Sequence, residues 1–158
     1  MARPSLSAEV LAALAGKRLA TAESLTGGGI GQALTSVSGA SAVYAGGVIS
    51  YTNEVKNKVL GVPVEMLDTC GAVSASVAKA MAEGARRVTG ADVAVSVTGL
   101  AGPGGDEFGN PVGTVFIGYA DQKNAFAREY HFTGDRASVR EQTIEAALEL
   151  ILEVAHGN

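Results

Sequence analysis

A short apolar run, Leu19 to Ala22, breaks at a hydroxyl-bearing corner, Glu23-Ser24-Leu25-Thr26, and passes straight into Gly27-Gly28-Gly29. This is the signature of a strand that turns sharply into a helix, and it confines the chain to folds in which strands feed helices. The same geometry makes a site. The end of the strand exposes side chains at its mouth, and the first turn of the helix offers backbone N–H groups that have no partner within the helix. The 21 glycines of the 158-residue chain cluster at such element ends and form no repeat, as expected for tight turns and close approach of backbone to a ligand.

The rest of the chain extends the pattern. Helices are expected over Ala8–Ala15 (with Ser7 as cap), Gly28–Ser36, Glu54–Leu60, Ser74–Thr89 and from Gly134-Asp135 to about Val154. Strands are expected at Arg18–Ala22, Gly47–Tyr51, Asp92–Thr98, Val112–Ala120 and Ala125–Phe132. Helices alternate with strands early and strands follow one another late, which predicts a single α/β layered domain, residues 1–158, on a mixed sheet. With 47% apolar and 18% charged residues the chain can bury a real core.

Composition also excludes function classes. The net charge is −4 and no Lys/Arg block exceeds two residues, so no nucleic-acid partner is expected. No apolar stretch is long enough to span a membrane. Met1–Val10 lacks a secretory core, and the lone Cys70 cannot form an internal disulfide; a cytoplasmic location follows as the default. No His/Cys/carboxylate cluster has ligand spacing, so neither metal nor cofactor is expected.

Four clusters carry possible chemistry. Ser24 is a candidate nucleophile, and a serine needs a base. His156 lies in the tail and His131 in a strand where it reads as exposed, so a Ser-His-Asp triad has little support. A lysine serves as base when burial lowers its pKa, and Tyr51-Thr-Asn-Glu-Val-Lys56 provides Lys56 and Tyr51. The bland alternative makes Ser24 a helix cap and Lys56 a solvated side chain. A dehydrogenase reading fails on spacing: Tyr51 and Lys56 are five apart across a corner, and no acidic residue ends the second strand as ribose binding requires.

The Thr98-Gly99-Leu-Ala-Gly102-Pro103 segment follows a central strand and can hug a ligand or bind an anion, or it is a plain surface loop. Thr26, Gly27 and Gly28 line the first corner. Arg136 and Arg140, four apart on the last helix, can clamp a phosphate or lie on the surface.

Six motifs stand in order: Thr21-Ala-Glu-Ser-Leu-Thr-Gly-Gly28, Tyr51–Lys56, Gly71-Ala-Val-Ser74, Thr98–Pro103, Pro111-Val-Gly-Thr114 and Phe132-Thr-Gly-Asp-Arg136. The chain thereby resembles the CinA C-terminal domain family, the nicotinamide-nucleotide amidases, over about residues 5 to 155. It carries Leu25 where many members have cysteine. The N-terminal domain of long members is not among these residues, which matches the stand-alone amidase form.

The resemblance implies a three-layer α/β/α sandwich. It also implies hydrolysis of nicotinamide mononucleotide, a small-molecule substrate, to nicotinate mononucleotide and ammonia in pyridine-nucleotide salvage. By older naming the family is tied to competence and DNA damage. Carried over by motif, Ser24 is the nucleophile, activated by Lys56 directly or through Tyr51. Arg136, Arg140 or the Gly99–Gly105 loop holds the phosphate. A nucleotide-binding or interaction domain without turnover, and an amidase for another carboxamide, remain the alternatives. A homo-oligomer is expected from the Ala-rich Ala75–Ala85 helix face.

Overall fold

The computed structural model describes residues 5–157. Its centre is a five-stranded sheet in the order β2-β1-β3-β4-β5. The strands are β1 (Leu19–Glu23), β2 (Tyr44–Ile49), β3 (Val93–Gly99), β4 (Thr114–Ala120) and β5 (Ala125–His131). β1 runs parallel to both β2 and β3, whereas β4 and β5 are antiparallel additions, so the sheet is mixed. Burial follows position in the sheet. All of β1 and β4, and β3 up to Thr98, are buried on both faces and read as nearly continuous apolar runs, while the edge strand β2 alternates.

Helices cover both faces. On one side lie α1 (Leu6–Ala13), α2 (Gly29–Thr35) and α6 (Arg136–Ala155), closing a core of Leu19, Ile30, Val95, Ile117 and Ile151. On the other lie α3 (Asn53–Lys58), α4 (Val64–Cys70) and α5 (Ala75–Thr89), closing a second core around Ala22, Leu60, Leu67 and Met81. The result is the expected three-layer sandwich.

Local chemistry sets the ends of the elements. Ser5, Thr52, Ser74 and Asp135 each accept a backbone N–H at the start of a helix. Ser5 caps α1 where Ser7 was expected, so the helix begins two residues earlier. Gly90 ends α5 in the left-handed conformation (φ 74°).

One helix was not expected and one expectation is corrected. Val64–Cys70 forms α4, with Pro63 at its N-cap and Leu67 packing it on the core. The Ala-rich face of α5 is not free for another copy. Val77, Ala78, Met81, Ala82 and Ala85 are buried beneath the sheet, which removes the ground on which a homo-oligomer was expected.

The topology fixes where a ligand can sit. The chain leaves β1 for β2 on one side and later adds β3 on the other, so the crevice beyond the carboxyl end of β1 lies at the switch point of the parallel strands. Ser24 follows β1 directly, Ser50 follows β2, and Thr98 lies near the end of β3.

Candidate active site

Ser24 sits in this crevice, almost fully buried, its N–H donated to Val97 O at 3.1 Å. Register continues from Glu23↔Val97 and Glu23↔Ile49, so Thr98 and Ser50 flank Ser24 on the α5 side of the sheet. Thr98 Oγ1 donates to Ala72 O at 2.8 Å, tying the approach to α5 against the floor of the site.

Lys56 reaches this row from α3. It is 2% exposed, and its Nζ donates to Ser24 Oγ at 3.0 Å and to the carbonyl of Tyr51 at 3.3 Å. The linker after α3 folds back on it, with Val62 N–H donating to Lys56 O at 3.1 Å and Asn57 Nδ2 to Val62 O at 2.9 Å. Desolvation follows, and it lowers the Lys56 pKa from 10.5 to about 8. A lysine in this range is available as a base near neutrality. The solvated reading of Lys56 is therefore set aside by packing that the local sequence does not display.

The cleft above the pair has a volume of about 360 Å³, within the range of small-molecule sites. Its walls include Ser24, Leu25, Tyr51, Asn53, Lys56, Thr98, Gly99, Gly102 and Arg136. Arg136 spans the mouth, its Nη1 donating to Gly102 O at 2.7 Å and its Nη2 to the Tyr51 hydroxyl at 3.3 Å. Tyr51 is 60% exposed. Its main chain holds Lys56 while its ring serves the rim, so the hydroxyl bonds to Arg136 and not to the Ser24–Lys56 pair.

Four residues expected at the substrate lie elsewhere. Thr26, Gly27, Gly28 and Arg140 are not on the cleft wall; they build the corner that carries Ser24. Gly27 (φ 59°) and Gly28 (φ 102°) take the left-handed conformations that let β1 turn so abruptly into α2. Arg140 is turned from the cleft and donates to Leu25 O at 2.9 Å and Thr26 O at 3.2 Å. Thr26 donates its hydroxyl to Glu23 Oε1 at 2.6 Å.

Glu23 itself went unassigned in the sequence. Its buried carboxylate also accepts Ile30 N–H at 2.8 Å and Gly31 N–H at 2.9 Å, fixing the first turn of α2. The signal was an acidic residue just ahead of a glycine-opened helix, complementary to the helix dipole. Asn53 and Ser50 were also passed over; both lie within or beside the Tyr51–Lys56 motif. Among the described residues no group of three or more His, Cys, Asp or Glu side chains could hold a metal ion, and no helix is long and apolar enough to cross a membrane.

The fold and site together define an α/β protein with a buried serine–lysine pair at the switch point of its sheet, an arrangement suited to acyl transfer. The CinA C-terminal domain model matches residues 4–155, and the chain belongs to that family. It is 44% identical to the nicotinamide-nucleotide amidohydrolase PncC of Pseudomonas putida, over 87% of this chain and 86% of that protein. It is 48% identical to a CinA-like protein of Geobacter sulfurreducens over 85% of this chain but 32% of that protein. The chain thus spans about a third of several curated relatives that it matches. A crystal structure of the competence damage-inducible protein A of Klebsiella pneumoniae superposes with a TM-score of 0.93 at 38% identity, covering 97% of both chains.

Proposed function

We propose that this chain is an amidohydrolase that converts nicotinamide mononucleotide and water to nicotinate mononucleotide and ammonia, a reaction of pyridine-nucleotide salvage. The observation that carries the reading is the buried Lys56 Nζ at 3.0 Å from Ser24 Oγ. The relationship to the Pseudomonas putida amidohydrolase supplies the substrate.

In the resting contact the ammonium of Lys56 donates. Once Lys56 has lost a proton to solvent, its lone pair accepts the Ser24 hydroxyl proton along the same line. Ser24 Oγ then bonds to the carboxamide carbon. In this reading backbone N–H groups of the corner that begins at Leu25, a residue of the cleft wall, stabilise the developing oxyanion; the Ser24 N–H is spent on Val97. The protonated Lys56 gives its proton to the amine as the C–N bond breaks, and ammonia leaves. Water, deprotonated by Lys56, attacks the acyl-enzyme; the bond to Ser24 Oγ breaks as Lys56 returns the proton to it, and the acid leaves as the carboxylate after losing its proton to solvent. The direct Ser24–Lys56 contact favours a route without the Tyr51 hydroxyl. Arg136, at the mouth of the cleft, suits the phosphate, whereas Arg140 is committed to the Leu25 and Thr26 carbonyls.

The test is ammonia release from nicotinamide mononucleotide by the wild type and by Ser24→Ala. The variant should lose on the order of 10³-fold or more in kcat, as removal of a nucleophile does. Near-normal turnover by the variant would exclude Ser24. No release by either protein, with the nucleotide still bound, would favour a binding domain or another carboxamide substrate.

A further inference from the structure

Ser50, beside Ser24 at the end of β2, has no role in the chemistry above. It is fully buried, and its Oγ has no hydrogen-bond partner among the described residues. A buried hydroxyl left unpaired is costly, so its position asks for a reason. Its N–H donates to Glu23 O at 2.8 Å, which continues the β1–β2 ladder and sets Ser50 beside Ser24. Side chains alternate along a strand, and Ile49 faces Gly28 on the α2 side. Ser50 therefore faces the α3 side, as Ser24 does.

Lys56 Nζ is held between the residue that follows Ser50 in the chain, through Tyr51 O, and the residue that pairs with it across the ladder, through Ser24 Oγ. An ammonium has three N–H donors, and these two acceptors leave one unassigned. Resting on the Ser24–Lys56 reading, we propose that Ser50 Oγ, brought round by rotation about its χ1 bond, is the third acceptor of the Lys56 ammonium and holds it in line as Ser24 forms the new bond. Ser50 is thus a positioning residue that acts through Lys56. The charged groups around Lys56 are few. Tyr51 and Arg136 are the other titratable side chains on the cleft wall, and Glu54 and Lys58 of α3 are exposed to solvent. Strands β1 and β3 bring only hydroxyls and amides to this face of the cleft.

The experiment compares wild type, Ser50→Ala and Ser50→Thr by two readouts. One is titration of the Lys56 side-chain carbon beside Nζ, followed by NMR in the free protein. The other is the pH dependence of ammonia release from nicotinamide mononucleotide. Loss of an acceptor disfavours the charged amine, so in Ser50→Ala the Lys56 midpoint should fall by about 0.5 to 1 pH unit. Its kcat should drop about 10- to 100-fold with KM little changed. Ser50→Thr, which keeps the hydroxyl, should restore both. The melting temperature of Ser50→Ala should be slightly below that of wild type near neutral pH, where a lower folded-state Lys56 midpoint costs stability.

An unmoved Lys56 midpoint in Ser50→Ala overturns the proposal whatever the activity. A dead Ser24→Ala beside an unaffected Ser50→Ala removes the Ser50 role alone. A fully active Ser24→Ala removes the reading of the site and this role with it.

Discussion

Replacing Lys56 by methionine removes the charge, keeps most of the length of the side chain, and should change how stability depends on pH. Burial lowers the Lys56 pKa from 10.5 to about 8. The folded value is the lower one, so between the two values the unfolded chain binds more protons and stability rises with pH. Below about 8 the charged amine is buried at a cost; above about 10.5 both states are neutral and the gain is complete. The difference corresponds to about 3 kcal/mol in full, of which about 2 kcal/mol is realised between roughly pH 7 and 9.5.

Lys56→Met has no such titration, and its other groups change with pH as in wild type. Urea unfolding of both proteins at several pH values should therefore show wild type gaining about 2 kcal/mol on the variant across that interval. At neutral pH alone the two should differ less. The variant loses the bonds to Ser24 Oγ and Tyr51 O, each worth about 1.5 to 3 kcal/mol for a charged donor, but also sheds the buried charge. Parallel stability curves, differing by less than about 0.5 kcal/mol in their pH dependence, would refute the burial of Lys56 in the folded protein. They would also undo its assignment as the base.

Two further outcomes are expected. Arg136→Ala should raise KM for nicotinamide mononucleotide about 10- to 100-fold, the equivalent of about 1.5–3 kcal/mol of charge-assisted bonding, and leave the riboside lacking the phosphate nearly unaffected; equal losses on both would place Arg136 away from the phosphate. Gly84→Ala should destabilise by about 1–3 kcal/mol in urea or thermal melts, because the added Cβ overlaps the backbone carbonyl of Leu60 where α5 meets the end of the α3 segment; an unchanged midpoint would show that this contact is loose.

Sheet and helices were legible because their signals are local. β1 reads as an apolar run, and Ser74 and Asp135 mark helix starts, since those patterns need only neighbours in the chain. Helix α4 was not, because its seven residues carry little periodicity and Leu67 gains its place from contact with α5-side residues. The same limit divides the site. Ser24 and Thr98 follow from strand ends at a switch point. The burial of Lys56 depends on Val62 and Asn57 folding the linker back, and the separation of Arg136 from Arg140 depends on where α6 crosses the corner. A spacing of four places both arginines on one helix face but cannot say which reaches the cleft.

The two faces of β1 explain why so small a corner can hold a reactive serine. Successive residues of a strand point to opposite sides, so Glu23 and Ser24, adjacent in sequence, serve different layers. On the α2 side the Glu23 carboxylate gathers Thr26 Oγ1 and the N–H groups of Ile30 and Gly31, and Arg140 clasps the Leu25 and Thr26 carbonyls. Charge-assisted bonds of this kind are the stronger ones, and here they bind the turn on either side of Ser24. On the α3 side the Ser24 hydroxyl meets Lys56, in a cleft whose floor is Thr98 and whose rim is Tyr51 and Arg136. The bonds that fix the turn thus come from groups that do not touch the cleft. The serine is held in place while its hydroxyl stays free for the lysine, and the residues that secure the corner are removed from those assigned to the reaction.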